Sequence, residues 1–204
     1  MMTLFLKGGP IMYPLLLCSI VGLFICIQKL LYLNHQSQKN DAFIEQIKER
    51  LLQYGKSYTL KELRSHRKVL LKILAQTIKL SHLPKEDIKD GVKEVSYIEL
   101  PKLDQHMSLL SSIITTAPIL GLFGTVLGLV DIFNVISGGQ IGDMTALSSG
   151  ISQALLTTVT GIGIAIPLIF IQQHISQKIE RLIMQTERSM YEMIHFCQQS
   201  NIQA

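Results

Sequence analysis

Three stretches of this 204-residue chain carry no Asp, Glu, Lys or Arg: Gly8–Gln28 (21 residues), Met107–Val130 (24) and Met144–Gln173 (30). Each is at least as long as the roughly 20 residues that take a helix across a bilayer. Lipid offers the backbone no hydrogen-bond partner, so apolar runs of this length cross it as helices that satisfy their own amides. Only 17% of the residues are charged, against about 25% in an ordinary soluble domain. A soluble enzyme, a disordered chain and a secreted disulfide scaffold are excluded. The sequence predicts an all-α membrane protein with three transmembrane helices.

The first run is preceded by Lys7 alone and followed by no small-residue cleavage site, so residues 11–33 read as an uncleaved first span. Lys29 is expected to snorkel to the inner interface. Basic residues near the spans orient them. Residues 34–105 hold fourteen of the nineteen Lys and Arg, the second loop holds none but carries Asp131 and Asp143, and the last segment has Lys178, Arg181 and Arg188. The expected order is a periplasmic N-terminus over 1–10, a span over 11–33, and a cytoplasmic helical region over 34–105. A second span over 106–130, a periplasmic loop over 131–145, a third span over 146–173 and a cytoplasmic C-terminal helix over 174–204 follow. The topology is N-out and C-in.

The inner region has helical periodicity. Phe43, Ile44, Ile47, Leu51 and Leu52 form one stripe, and Leu70, Ile73, Leu74, Ile78 and Leu80 another, with a break at Tyr54–Ser57. Pro84 suits a helix start before Ile88, Val92 and Val95. Pro101 marks a kink or boundary before the second span. Ile175, Ile179, Leu182, Ile183, Tyr191 and Ile194 continue a stripe past the third span, so the second and third spans are expected to run on inward as long helices. Gly138, Gly139 and Gly142 make a pliant outer loop.

The net charge of +4 does not point to nucleic acid, because the basic residues of 34–105 alternate with ten acidic ones and no aromatic stacking pattern accompanies them. Cys18, Cys26 and Cys197 have neither metal nor redox spacing and read as unpaired apolar filler. The six histidines are scattered without convergent spacing, so no metal site is predicted. Phosphate-binding and nucleophile motifs are absent, no cofactor is implied, and the chain does not read as an enzyme.

What remains is polarity inside the spans. Ala117, Gly121, Gly124, Thr125 and Gly128 fall on one side of the second span, and Gly150, Ala154, Thr157, Thr158, Gly161 and Ala165 on one side of the third, with Gln153 and Thr160 at its flank. Small residues let membrane helices approach closely, so Gly121, Gly124, Gly128, Ala154, Gly161 and Ala165 are the packing candidates. Thr125, Thr157, Thr158 and Gln153 form a weak hydrophilic surface and are the candidates for an ion pathway. No ionisable side chain lies in the core of any span. If the chain conducts protons, a titratable carboxylate must therefore come from another polypeptide, and since three helices enclose no pore, several copies would be needed.

The segments Ala117-Pro-Ile-Leu-Gly-Leu-Phe-Gly-Thr-Val-Leu-Gly128, Gly150-Ile-Ser-Gln-Ala-Leu-Leu-Thr-Thr158 and Ala165-Ile-Pro167 resemble the MotA/TolQ/ExbB proton-channel family, its ExbB branch above all. The resemblance covers the whole chain, including the first-span opening Gly8-Gly-Pro-Ile-Met-Tyr-Pro. It implies a homo-pentamer in the bacterial inner membrane, with ExbD-like single-span subunits in the pore, each bringing an essential Asp. Proton flux would then drive work passed through a TonB-like protein to outer-membrane receptors for cargo import. A TolQ-like motor for envelope integrity and cell division, or a non-conducting scaffold, are the alternatives. Thr125 and Thr158 match the family's second- and third-span threonines, expected to face the pore. Gln153 stands where the family often has Glu, and an amide cannot titrate. The resemblance favours H⁺ as coupling ion, while hydroxyl oxygens at Thr125, Thr157 and Thr158 keep Na⁺ open.

Overall fold

A computed structural model of the chain describes residues 8–36, 40–65, 68–138 and 144–199. The helices, in chain order, are α1 (Met12–Gln36), α2 (Asn40–Ser65), α3 (Val69–Lys79), α4 (Lys85–Glu99), α5 (Pro101–Asp104), α6 (Met107–Ser137) and α7 (Met144–Gln199), and no strand occurs among the described residues. Three stretches are long and apolar enough to cross a membrane, one within each of Met12–Gln36, Lys85–Ser137 and Leu147–Gln199. The chain is thus an all-α membrane protein. It divides into two compact units, Met1–Lys29 with His106–Ile175, and Leu30–Gln105 with Ser176–Ala204.

In the first unit α6 and α7 pair antiparallel through their small residues. A Cβ on Gly121 would stand 2.9 Å from the Thr157 carbonyl oxygen, one on Gly128 2.9 Å from that of Gly150, and one on Gly161 2.6 Å from that of Ala117. The obstacle in each case is backbone, so glycine is what allows the approach. α1 packs by Met12 and Leu15 against Ala117, and a Cβ on Gly22 would meet Leu168 Cδ1 at 2.7 Å. Large apolar side chains such as Leu17, Phe24, Leu122, Phe123, Leu155 and Val159 remain exposed. In water such a surface would be costly; against lipid or neighbouring helices it matches its surroundings.

The expected continuation of the second and third spans as long helices holds for the third only. α7 runs as a single helix of 56 residues. α6 begins at Met107, because Gln105 is extended (ψ 135) and His106 is left-handed (φ 67), which interrupts the i to i−4 ladder. Pro101 marks a boundary as expected: α4 ends at Glu99 and Pro101 opens α5, where its missing N–H costs nothing, while Leu100 between them keeps helical φ and ψ. Lys29, expected at the interface, is 4% exposed. Lys7, Gly139, Gly142 and Asp143 lie outside the described residues.

In the second unit Gly55, at φ 77 and ψ 176, divides α2 at the predicted break. Its two arms are joined by an Arg50–Glu62 ion pair and by Tyr54 and Tyr58, whose ring centroids lie 5.2 Å apart. The core combines Ile44, Ile47 and Leu51 of one arm, Leu63 of the other, Leu70, Leu71, Leu74 and Ile78 of α3, and Met193 and Cys197 of α7. Leu52 and Tyr191, assigned to stripes by period, are exposed instead; the Phe43 side chain lies outside the description. Gln36 Oε1 accepts the Val69 N–H at 3.2 Å, satisfying a free amide at the start of α3. Burial pushes the Cys197 thiol up to about 11, only partly offset by Lys56, as suits a cysteine used as apolar filler.

Glu99 is the buried acid of this unit. Its carboxylate accepts from Lys72 Nζ at 3.0 Å and Lys102 Nζ at 2.6 Å, joining α3, α4 and α5. Burial by itself would raise its pKa, but the two lysine hydrogen bonds outweigh it and the net shift is downward. A depressed carboxylate stabilises the fold above its unfolded pKa of about 4.3 and loses that contribution as pH falls through the folded value. Thermal unfolding followed by circular dichroism should therefore show stability falling below about pH 4.5, and Glu99→Gln should lower it at neutral pH while flattening that fall. An unchanged pH profile in the variant would contradict the assignment.

Candidate functional site

Thr125 lies one turn beyond Gly121 on α6, and Thr158 beside Thr157 on α7. The glycine-permitted approach of the two helices brings the hydroxyls of Thr125 and Thr158 into hydrogen-bond contact. Thr125 Oγ1 also donates toward the carbonyl oxygens of Gly121 and Ala154, each at 3.3 Å, and Thr158 Oγ1 toward Gly121 at 3.2 Å. Two hydroxyl protons thus face two carbonyls and each other. Both threonines are half-buried. A hydroxyl has one proton to give and two lone pairs to accept with, so the pair can pass a proton along without holding a charge.

Thr157 takes a different place. It is 0% exposed, its hydroxyl donates to Ala154 O at 2.9 Å, and a Cβ on Gly124 would lie 2.5 Å from its Oγ1. It fills the gap that Gly124 leaves, inside the seam. Gln153 is half-buried and sits against the turn before α1: a Cβ on Gly9 would lie 2.5 Å from its Nε2. Gly9 has φ 71, so glycine is favoured there on two counts. Gly121, Gly124, Gly128, Ala154, Gly161 and Ala165 are all buried. The small-residue face and the hydroxyl surface are thus one seam: its glycines set the distance and two of its threonines meet across it.

Sequence reasoning missed the pairing of Thr125 with Thr158 and the contact of Gln153 with Gly9. Helical period assigns residues to faces but does not set two helices in register. A signal for the first did exist, since the small residues of the two spans descend and ascend in matching steps. No sequence signal ties Gly9 to Gln153.

A profile of the MotA/TolQ/ExbB proton channel family matches residues 62–188. The chain is 28% identical over 180 residues to a biopolymer transport protein ExbB homolog of Methanothermobacter thermautotrophicus, covering 88% of this chain and 64% of the relative. It is 31% identical over 167 residues to a biopolymer transport protein ExbB-like 1 of Synechocystis, covering 79% and 65%. A shorter match, 29% identical over 84 residues, joins it to the Tol-Pal system protein TolQ of Haemophilus influenzae, covering 41% and 37%. The chain therefore spans a little under two thirds of the length of the first two relatives. The match over 62–188 takes in both helices of the threonine seam and most of the second unit up to α7: the chain belongs to the MotA/TolQ/ExbB proton channel family.

Proposed function

We propose that this chain is an ExbB-like subunit of a proton-driven motor in the bacterial inner membrane. Its N-terminus lies outside, the second unit in the cytoplasm, and five copies ring the single helices of an ExbD-like partner. The observation that carries this reading is the Thr125–Thr158 hydroxyl pair, placed between spans whose cores hold no ionisable side chain. Hydroxyls relay protons but do not store charge, so the titrating carboxylate belongs to the partner. Thr125 and Thr158 form the pathway facing it, and Gln153 contributes hydrogen bonding without titration. Thr157, wedged against Gly124, serves packing within the subunit. Proton flux then drives a conformational cycle that a TonB-like protein carries to outer-membrane receptors for cargo import.

The test is co-expression with the neighbouring single-span protein, purification of the complex, and reconstitution into vesicles. Acidification of the lumen under an imposed proton gradient is the expected result, with no response to a sodium gradient alone. Flux that follows Na⁺ instead would overturn the ion assignment; failure of the two chains to associate would overturn the motor assignment. A TolQ-like role is the second reading, supported by the TolQ relatives matched over about two fifths of the chain. Deleting the gene separates the two: loss of cargo uptake supports the first, and leaky envelopes with chained cells the second.

A further inference from the structure

The second unit contains a cleft of about 460 Å³ formed by α3, α4, α5 and residues 183–191 of α7. Its floor is apolar, built by Ile73, Leu100 and Met190, and its edge carries Tyr97 and Tyr191. Tyr97 is 78% exposed and Tyr191 47%, high values for aromatic side chains beside an apolar floor. Two carboxylates, Asp104 and Glu187, also line it, and neither has an ion-pair partner among the described residues. The cleft's own cation, Lys93, is held by Asp90 at 3.5 Å.

Basic residues outnumber acidic ones over 34–105, and within that basic region Asp104 is brought together with Glu187 of α7 at one cleft. Acid without a partner, next to exposed phenol rings and an apolar floor, is complementary to a short segment that offers Lys or Arg together with an apolar anchor. The ring faces attract cations in addition to the carboxylates. Membrane proteins carry such segments at the cytoplasmic ends of their helices, because Lys and Arg are concentrated there. With the second unit on the cytoplasmic side, the cleft opens in the compartment where those flanks lie. The geometry points to this cleft as a docking site for the basic, apolar-anchored cytoplasmic flank of a membrane-anchored partner, held by Asp104 and Glu187 and by the faces of Tyr97 and Tyr191.

The experiment uses the full chain in neutral maltoside micelles and a fluorescein-labelled twelve-residue peptide alternating Lys/Arg with Leu. Its control is the same peptide with Glu at every Lys/Arg position. Fluorescence anisotropy should show saturable binding of the basic peptide that weakens with salt, and none of the acidic one. Asp104→Asn combined with Glu187→Gln, both exposed positions whose change leaves the core intact, should weaken binding about tenfold and flatten the salt dependence. Tyr97→Ala should weaken it about threefold. Equal binding by parent and double variant, or by basic and acidic peptides, would overturn the proposal. So would benzoylphenylalanine at position 97 crosslinking to a second copy of the chain while leaving the peptide unlabelled. The measurement needs neither the channel partner nor an ion gradient, so its failure leaves the proposed proton pathway standing, and failure of that pathway leaves the cleft standing.

Discussion

Thr158→Val should abolish proton flux through the reconstituted complex while leaving the complex assembled. Valine keeps the shape of threonine and removes the hydroxyl, so the α6–α7 seam stays filled. What disappears is the contact with Thr125 and the donation to Gly121 O at 3.2 Å. Thr125 then has only the carbonyls of Gly121 and Ala154 to address, and the relay loses one of its two members. One hydrogen bond of net worth about 1.5 kcal/mol corresponds to roughly a tenfold effect, and interruption of a continuous relay costs more than that. Flux should fall at least about tenfold, read as the rate of luminal acidification, with an unchanged subunit ratio. Thr158→Ser, which restores the hydroxyl, should recover most of it. Normal flux in the valine variant would remove the threonine pair from the pathway. Thr157→Val makes the contrast: its hydroxyl is spent on Ala154 O within the seam, so the change should act on stability and leave flux per assembled complex nearly unaltered.

The second large effect lies in the glycines. A Cβ on Gly161 would meet Ala117 O at 2.6 Å and Gly121 Cα at 3.1 Å, so even alanine forces two backbones apart. Overpacking of this sort costs about 1–3 kcal/mol, and Gly161→Leu, which adds three more carbons at the same point, should prevent α6 and α7 from pairing. The expected outcome is a drop in melting temperature for Gly161→Ala and loss of the folded chain for Gly161→Leu, measured in detergent by circular dichroism and size-exclusion chromatography. Gly163 is two residues away and has nothing within 4 Å of a Cβ. Gly163→Ala should be neutral or stabilising by up to about 1 kcal/mol, since alanine is the better helix former. Equal losses at both positions would show that the effect belongs to helix propensity and not to the close approach. Because the same approach brings Thr125 to Thr158, variants at Gly161 that still fold should also lose flux.

The features that the sequence displays openly are those with a local cause. Charge-free runs longer than a bilayer is thick yield three spanning helices, since a helix is the arrangement in which one such run satisfies all its own amides in lipid. Gly55 breaks α2 where the apolar period lapses, and Pro84 precedes α4, because these residues act through their own φ. Where a local cue competes with a non-local one the outcome differs. Pro101 opens the short α5 as its residue type allows, yet the break directly ahead of α6 falls at Gln105 and His106, whose left-handed backbone nothing in the residue type demands.

The seam shows the same division. The sequence by itself determined the number of spans, the all-α class, the identity of the small-residue faces and the absence of any ionisable group in the span cores. On the proposed proton pathway, that absence places the titrating carboxylate on another chain. Only the tertiary structure decided which hydroxyls meet. Helical period places Thr125, Thr157 and Thr158 on one surface, and treats the neighbours Thr157 and Thr158 as equivalent. The two already differ by 100° of rotation on their own helix, and register decides what each then meets: Thr157 turns into Gly124 and is consumed by packing, while Thr158 turns toward Thr125. The cleft beside Tyr97 and Tyr191 is likewise invisible in sequence, because its walls come from residues 73 to 191 and only folding sets them around one space. Period is a property of one helix and is written in its residues; register is a property of two, set by how closely glycine lets their backbones approach.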